Sequence, residues 1–376
     1  MPTEIKGTSV RNYGIDLLKI LSMQMIVFLH ILGAGGILAN LEVLTFKYEL
    51  MWLLEIAFFC AVNCFALATG YVMVNIRFKY NRIISLWLHV IYYTLGITLI
   101  FWLFVPGTVG LKQWLWGLFP VTYLQYWYFT AYFAMFFFIP FFNKLIDAID
   151  KKMLQKLIVT AVMIFSVMTI VARNDIFRIH DGYSMIWLST LYFIGAYFKR
   201  YPMKRRLSFW ASMAGYGFMV LLTWLSKFAV QYLGQRLLGG ERVGGMLVNY
   251  VSPTMLAAAV FLLLAFAQLE FKSSIAKKLI IFFAPMSFSV YLIHCHPLIW
   301  CYVLTDRLIG LTSLSAPVLF ASVIGIGALV YIACSLVDTI RIFLFEKLKI
   351  NKFCIWLSNQ ISFLAKRISE SLDGIF

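Results

Sequence analysis

The chain has 376 residues, of which 62% are hydrophobic and only 13% charged, with 35 Phe, 20 Tyr and 11 Trp; a typical soluble domain has about 25% charged residues. That composition excludes a soluble globular enzyme and points to an all-α polytopic membrane protein. The net charge of +16 collects in short loops between apolar runs, the positive-inside pattern, which speaks for the lipid bilayer and against nucleic acid as the partner.

Ten runs are long enough, at about 17 to 25 residues, to cross a bilayer. They cover 14 to 34, 51 to 75, 83 to 105, 126 to 146, 154 to 173, 183 to 200, 208 to 230, 250 to 270, 279 to 303 and 315 to 343. No small-residue cleavage site follows the first run, so it is expected to be a retained span, not a signal peptide. Residues 107 to 125 are aromatic-rich and broken by Gly and Pro, which suits the outer interface or a dip into the bundle. A transmembrane domain is expected over 1–345. From Glu346 a basic, amphipathic tail, 346–376, suits a helix on the inner leaflet.

Loop charges orient these runs. With the N-terminus inside, one side receives Lys6 and Arg11, then Arg77, Lys79 and Arg82, Lys144 to Lys156, the cluster from Lys199 to Arg206, Lys272 to Lys278 and the tail. The other side receives only Lys47, Lys112, Arg173, Arg178, Lys227, Arg236, Arg242 and Arg307. Both termini are therefore expected in the cytoplasm, in a multi-pass protein of the cell (plasma) membrane. Of the six cysteines, Cys60, Cys64, Cys295 and Cys334 lie in apolar runs, and no CxxC or Cys/His spacing is present, so neither a disulfide framework nor a metal site is expected.

The first run, RNYGIDLLKILSMQMIVFLHILGAGG, carries Asp16, Lys19 and His30. Charges in lipid are costly and normally face a protein interior or a wet cavity. Lys19 and His30 are eleven positions apart, which returns them to nearly one helical face, roughly 16 Å apart along the axis.

Five ordered blocks carry a family likeness. GIDLLK is followed after ten residues by His30, then come VNCFALATGYVM at 62 to 73, WYFTAYFAMFFFIPFFN at 127 to 143, YSMIWLSTLYFIGAYFKRY at 183 to 201 and SFSVYLIHCHPLIW at 287 to 300. This order resembles the acyltransferase 3 family of integral membrane acyltransferases, from about residue 9 to residue 340. The resemblance implies a ten-span O-acyltransferase that takes an acyl group, most commonly acetyl, from cytoplasmic acyl-CoA and places it on a hydroxyl of a cell-surface or lipid-linked glycan. The family's basic residue and histidine map onto Lys19 and His30, and its Ser-Gly-aromatic block onto Thr69, Gly70 and Tyr71. Tyr132 and Phe133 stand where some branches have an acidic pair, so no role for a fourth-span carboxylate carries over.

The same chemistry follows from the residues. Acyl transfer to an alcohol needs a base for the hydroxyl proton, and His is nearest in pKa to that task, which makes His30 the candidate. The phosphates of CoA call for fixed cations, and Lys19, Arg11 and Arg82 are placed to supply them. A salt bridge from Lys19 to Asp16, one turn earlier, is the structural alternative. Glu55, at a depth comparable with His30, can orient the imidazole, contact acceptor hydroxyls, or simply reach water. Asn63 and Thr69 can line the site or bond neighbouring helices. His294, after Tyr291, is the better site-lining candidate of the His294 and His296 pair; His296, before Pro297, reads as structural. Trp127 and Tyr132 suit a sugar- or thioester-facing wall, with plain packing as the alternative. The expected cavity lies between spans one, two, four and nine. A transporter or flippase for a surface polysaccharide is the rival, distinguished by its lack of need for CoA binding.

Overall fold

A computed structural model describes residues 11–76, 78–203, 207–238 and 245–373, and every regular element among them is a helix or helical turn. The loop cations Lys6, Arg77, Lys204, Arg205, Arg206 and Arg242 lie outside the described residues.

The first helix, α1 (Tyr13–Leu32), starts at Asn12, whose side-chain oxygen accepts from the Ile15 N–H at 3.0 Å, and stops at Gly33. The second run is one span in two pieces, α2 (Phe46–Phe59) and α3 (Ala61–Met73), broken at Cys60. Then follow α4 (Tyr80–Phe104), the short α5 (Leu111–Leu118) and α6 (Trp127–Ala148). Next, α7 (Lys151–Val162) passes through a π-helical turn into α8 (Thr169–Ala172). The chain continues with α9 (Met185–Arg200), α10 (Phe209–Leu238), α11 (Pro253–Ala267), α12 (Ser274–His294), the single turn α13 (Pro297–Ile299), α14 (Ala316–Lys347) and α15 (Ile350–Asp373).

Eight helices among the described residues are long and apolar enough to cross a membrane. The sixth and eighth expected spans appear instead as α9 and α11, of 16 and 15 residues. At 1.5 Å per residue these measure about 24 and 22 Å, short of a hydrocarbon core of about 30 Å. They still keep the up-and-down alternation. The α9 helix runs parallel to α3, with Asn63 bonded to Trp187 and Gly70 against Tyr192. The α11 helix runs antiparallel to α10, with Thr223 bonded to Thr254 and Gly215 against Phe261.

Close approach of α3 and α9 explains Gly70. A methyl group there would lie 2.1 Å from the Tyr192 carbonyl oxygen, and one on Gly195 would lie 2.0 Å from that of Leu67. Helices in lipid associate by backbone contact through small residues, since apolar tails offer no hydrophobic gain between them. Two peripheral stretches are anchored to α4. Residues 107 to 125 dip against it through α5, where the Thr94 hydroxyl donates to the Gly117 carbonyl at 2.8 Å. The tail helix α15 lies along the same helix, bringing Phe353 and Leu357 to Trp87 and Phe133. The expected boundary at 346 falls inside α14, and the break comes at Leu348 and Lys349.

Candidate active site

His30 stands near the end of α1, where α12 also ends. Pro297 cannot continue a helical ladder, so α12 stops at His294 and presents that imidazole toward α1. The Val290 carbonyl, one turn back, takes the proton on Nδ1 of His294. A carbonyl can only accept, so His294 Nε2 carries a lone pair and accepts from Nδ1–H of His30 at 2.9 Å. In a neutral His30 this tautomer leaves the remaining nitrogen, Nε2, unprotonated, and Nε2 makes no protein hydrogen bond among the described residues. The Trp300 ring packs edge-on against the His30 ring, 4.8 Å between centroids at 78°, and Cys295 Sγ lies 3.5 Å from His30 Nδ1 and 3.4 Å from His294 Nε2.

His30 opens into a cavity of about 50 Å³, room for a few water molecules. Its walls are Met23, Ile26 and His30 of α1, Val62 and Phe65 of α3, Trp127 and Tyr128 of α6, Phe288 and Tyr291 of α12, and Tyr250 ahead of α11. The Tyr128 N–H donates to the Tyr291 hydroxyl at 3.3 Å and the Tyr126 hydroxyl to the Leu292 carbonyl at 2.8 Å, which ties the start of α6 to α12. An aromatic pocket with one imidazole nitrogen free to accept can take a proton from a hydroxyl, the chemistry of a general base.

Lys19 continues the same stripe, with Met23, Ile26 and His30 recurring at helical spacing above it. It is half-buried, does not itself line the cavity, and forms no hydrogen bond or ion pair among the described residues. The alternative salt bridge to Asp16 does not form. Asp16 instead accepts from Nε of Arg11 at 2.5 Å, which leaves Arg11 paired and Lys19 open. Arg82 likewise pairs with no carboxylate among the described residues; it donates to Met73 Sδ at 3.6 Å and acts electrostatically on the Tyr132 hydroxyl. Tyr132 stacks on Tyr128 at 6.4 Å and 11°, one turn beyond the cavity wall.

Three expected site residues neither line the His30 cavity nor bond His30. Glu55 is buried on α2 and makes no hydrogen bond to His30, whose orienting partner is His294. Its Oε2 has no hydrogen-bond partner among the described residues, and the carboxylate acts electrostatically on Tyr183 and Tyr250. Asn63 donates to the Tyr250 carbonyl at 2.8 Å and accepts from Trp187 Nε1 at 3.0 Å, so it fixes the backbone of a wall residue without lining the cavity. Thr69 returns its hydroxyl to the Phe65 carbonyl of its own helix at 2.9 Å. His296, read as structural, caps α13 through the Leu298 N–H and donates to the Thr94 carbonyl.

Sequence reasoning did not single out Tyr128, Tyr250, Phe288, Trp300 and Cys295. Cys295 carried a usable signal, standing between two histidines in the ninth-span block. Tyr250 carried none, since its place depends on the loop before α11. His30 Nδ1, His294 Nε2 and Cys295 Sγ also lie within 4.8 Å of one another, a ligand-capable trio that spacing rules miss because it joins two distant helices; the two ring nitrogens are engaged with each other.

A histidine with a free ring nitrogen in a membrane-embedded aromatic pocket, with Lys19 further along the same helix face, is an arrangement suited to intramembrane group transfer. The chain belongs to the acyltransferase 3 family, a family of membrane acyltransferases. The family's acyltransferase domain matches residues 12–336, which takes in every site residue named above except Arg11. No curated relative and no solved structure matches the chain.

Proposed function

We propose that the chain is an acyl-CoA-dependent O-acyltransferase of the plasma membrane, moving an acyl group, acetyl before others, to a hydroxyl of a cell-surface or lipid-linked glycan. The observation that carries this reading is the hydrogen-bond relay from the Val290 carbonyl through His294 to His30, which leaves His30 Nε2 as a bare base. In the reaction, Nε2 takes the acceptor hydroxyl proton as the oxygen attacks the thioester carbonyl. The C–S bond then breaks, and the imidazolium returns its proton to the departing CoA thiolate. General base catalysis of this kind contributes about 10² to 10⁴ in rate.

CoA enters from the face where α1 begins, which also holds Lys79, Arg82, Lys199 and Arg200, and Lys19 and Arg82 meet its phosphates by charge-assisted hydrogen bonds. A cavity of about 50 Å³ does not hold an acyl-pantetheine arm, so donor binding parts the side chains between Met23 and Lys19. The excess of loop cations on this face supports cytoplasmic termini, and the unbroken alternation through α9 and α11 supports ten spans. Release of free thiol from acetyl-CoA by the detergent-purified protein tests the reading. Replacing His30 with Ala is expected to abolish it, and an undiminished rate would remove His30 from the mechanism. Absence of CoA binding at millimolar concentration would favour the transporter reading instead.

A further inference from the structure

The face where α1 ends carries a second, much larger space. A cavity of about 580 Å³ opens between the loop after α8 and the loop before α11. It is lined by Thr169, Arg173, Asn174, Asp175, Asp181 and Asn249, among others. Among the described residues the lining mixes one guanidinium with two carboxylates, two amides and the apolar side chains of Ile170, Val230 and Met246. Such a surface is wrong for a polyphosphate, which wants an excess of cations, and wrong for a fatty chain, which wants none of these groups. Mixed donors and acceptors of low net charge match the many neutral hydroxyls of a saccharide.

Two buried groups, one at this cleft and one beside its aromatic neighbours, lack partners among the described residues. Thr169 is 4% exposed and its hydroxyl, at the wall of the cleft, has no hydrogen bond among the described residues. Buried polar groups are normally satisfied; this hydroxyl is enclosed, and a turn of the Thr169 side chain toward the cleft would bring it within reach of a ligand hydroxyl. The second is the Oε2 of Glu55, equally unpaired among the described residues, whose carboxyl group acts electrostatically on Tyr183 and Tyr250.

The cleft adjoins the base through aromatic rings. Asn249 donates to Asp181 across it at 2.8 Å, and the next residues along each loop include Tyr250 and Tyr183. Their rings lie 5.1 Å apart, and Trp127 lies 4.4 Å from Tyr183 and 6.2 Å, nearly parallel, from Tyr250. Tyr183 is 45% exposed, whereas Trp127 and Tyr250 line the His30 cavity. One end of the trio therefore faces solvent and the other faces the base. Flat apolar ring faces with polar edges suit the alternating C–H and O–H faces of a pyranose.

We propose that this cleft is the acceptor subsite: several units of a neutral glycan lie along Thr169, Asp181 and Asn249, and the Tyr183, Tyr250 and Trp127 rings hold the sugar whose hydroxyl reaches His30. The assignment rests on the acyltransferase reading above and adds to it where the acceptor sits and what class it belongs to.

The test compares Tyr183→Ala and the near-isosteric Thr169→Val with the unaltered chain. Base-labile acyl groups on envelope glycans are counted by mass spectrometry in cells expressing each, and CoA binding is measured on each purified protein. Acylation is expected to fall about tenfold in Tyr183→Ala, the size of one lost aromatic face, and less in Thr169→Val, with the CoA dissociation constant unchanged in both. Unaltered acylation in both variants overturns the assignment, as does an equal loss of CoA binding, which would place these residues in the fold or the donor site. Acyl groups recovered on lipid without sugar overturn the glycan class. If the unaltered chain itself neither binds CoA nor acylates anything, the enzymatic reading has failed, and the subsite falls with it.

Discussion

Two histidines in this bundle sit in spanning helices, are largely hidden from solvent and bond to α12, yet their surroundings differ. His30 bonds one neutral partner, His294, and faces a cavity with its other nitrogen free. His89, on α4, bonds Ser289 at 2.8 Å and lies 3.7 Å from Asp338, which also accepts from Tyr93 at 2.6 Å and from Arg341 at 2.6 and 2.9 Å. Asp338 is wholly buried, and its charge is met on every side. The first network leaves a ring nitrogen facing a cavity; the second gathers its members around a buried carboxylate and holds α4, α12 and α14 together. An ionisable residue in lipid marks function only when the structure leaves it something to do.

Substitution at the two histidines breaks this comparison most directly. His30→Ala is expected to lower acyl transfer by about 10² to 10⁴ with normal expression, whereas His89→Ala is expected to lower expression and melting temperature while the surviving protein transfers normally. If His89→Ala abolished turnover in well-folded protein, the second network would be part of the chemistry. Next in size comes Asp338→Asn. Removing one partner of a buried charge pair costs about 3 to 5 kcal/mol, because Arg341 is left uncompensated. Thermal unfolding in detergent should show a loss of that order, partly recovered by replacing Arg341 with Met as well.

His294 sharpens the contrast, because it acts through His30. His294→Ala frees His30 to choose either tautomer and ring orientation, and loss of such an orienting partner typically costs about 10- to 100-fold. His294→Gln, whose carbonyl can accept from His30 Nδ1–H, is expected to recover part of the rate. Equal losses in Ala and Gln variants would assign His294 to packing.

How much of this could be read beforehand divides along physical lines. The all-helical class and the helix positions follow from apolar run length, and the Lys19 to His30 stripe follows from helical periodicity, both local properties. The pairing of His30 with His294 joins residues 264 positions apart, and no spacing rule reports it. Glu55 was one candidate to orient His30, with acceptor contact and a reach to water as its alternatives, because it is acidic and at a comparable depth; depth along the bilayer does not say which way a helix face turns. Gly70 was visible as a motif residue, while its reason, the 2.1 Å that a methyl would leave to Tyr192, belongs to α9. His89 and Asp338 were open to the same rule that flagged Lys19, and lacked only a motif to draw attention to them.

The smallest expected effects lie at the other end of α1, where Lys19 and Arg11 separate two kinds of cation. Arg11 is already neutralised by Asp16 at 2.5 Å, and its side chain is well exposed, so an added phosphate would gain only a screened attraction. Lys19 has no ion-pair partner among the described residues and is half-buried, where a charge-assisted bond to phosphate is stronger. Lys19→Ala is therefore expected to raise the donor KM about tenfold with kcat nearly unchanged, the pattern of lost uniform binding, and Arg11→Ala to change KM within about twofold. Steady-state kinetics with acetyl-CoA at two salt concentrations decides it: raised salt should weaken the contribution of Arg11 more than that of Lys19. A kcat effect at Lys19 would instead move its ammonium toward the thioester and away from the phosphates.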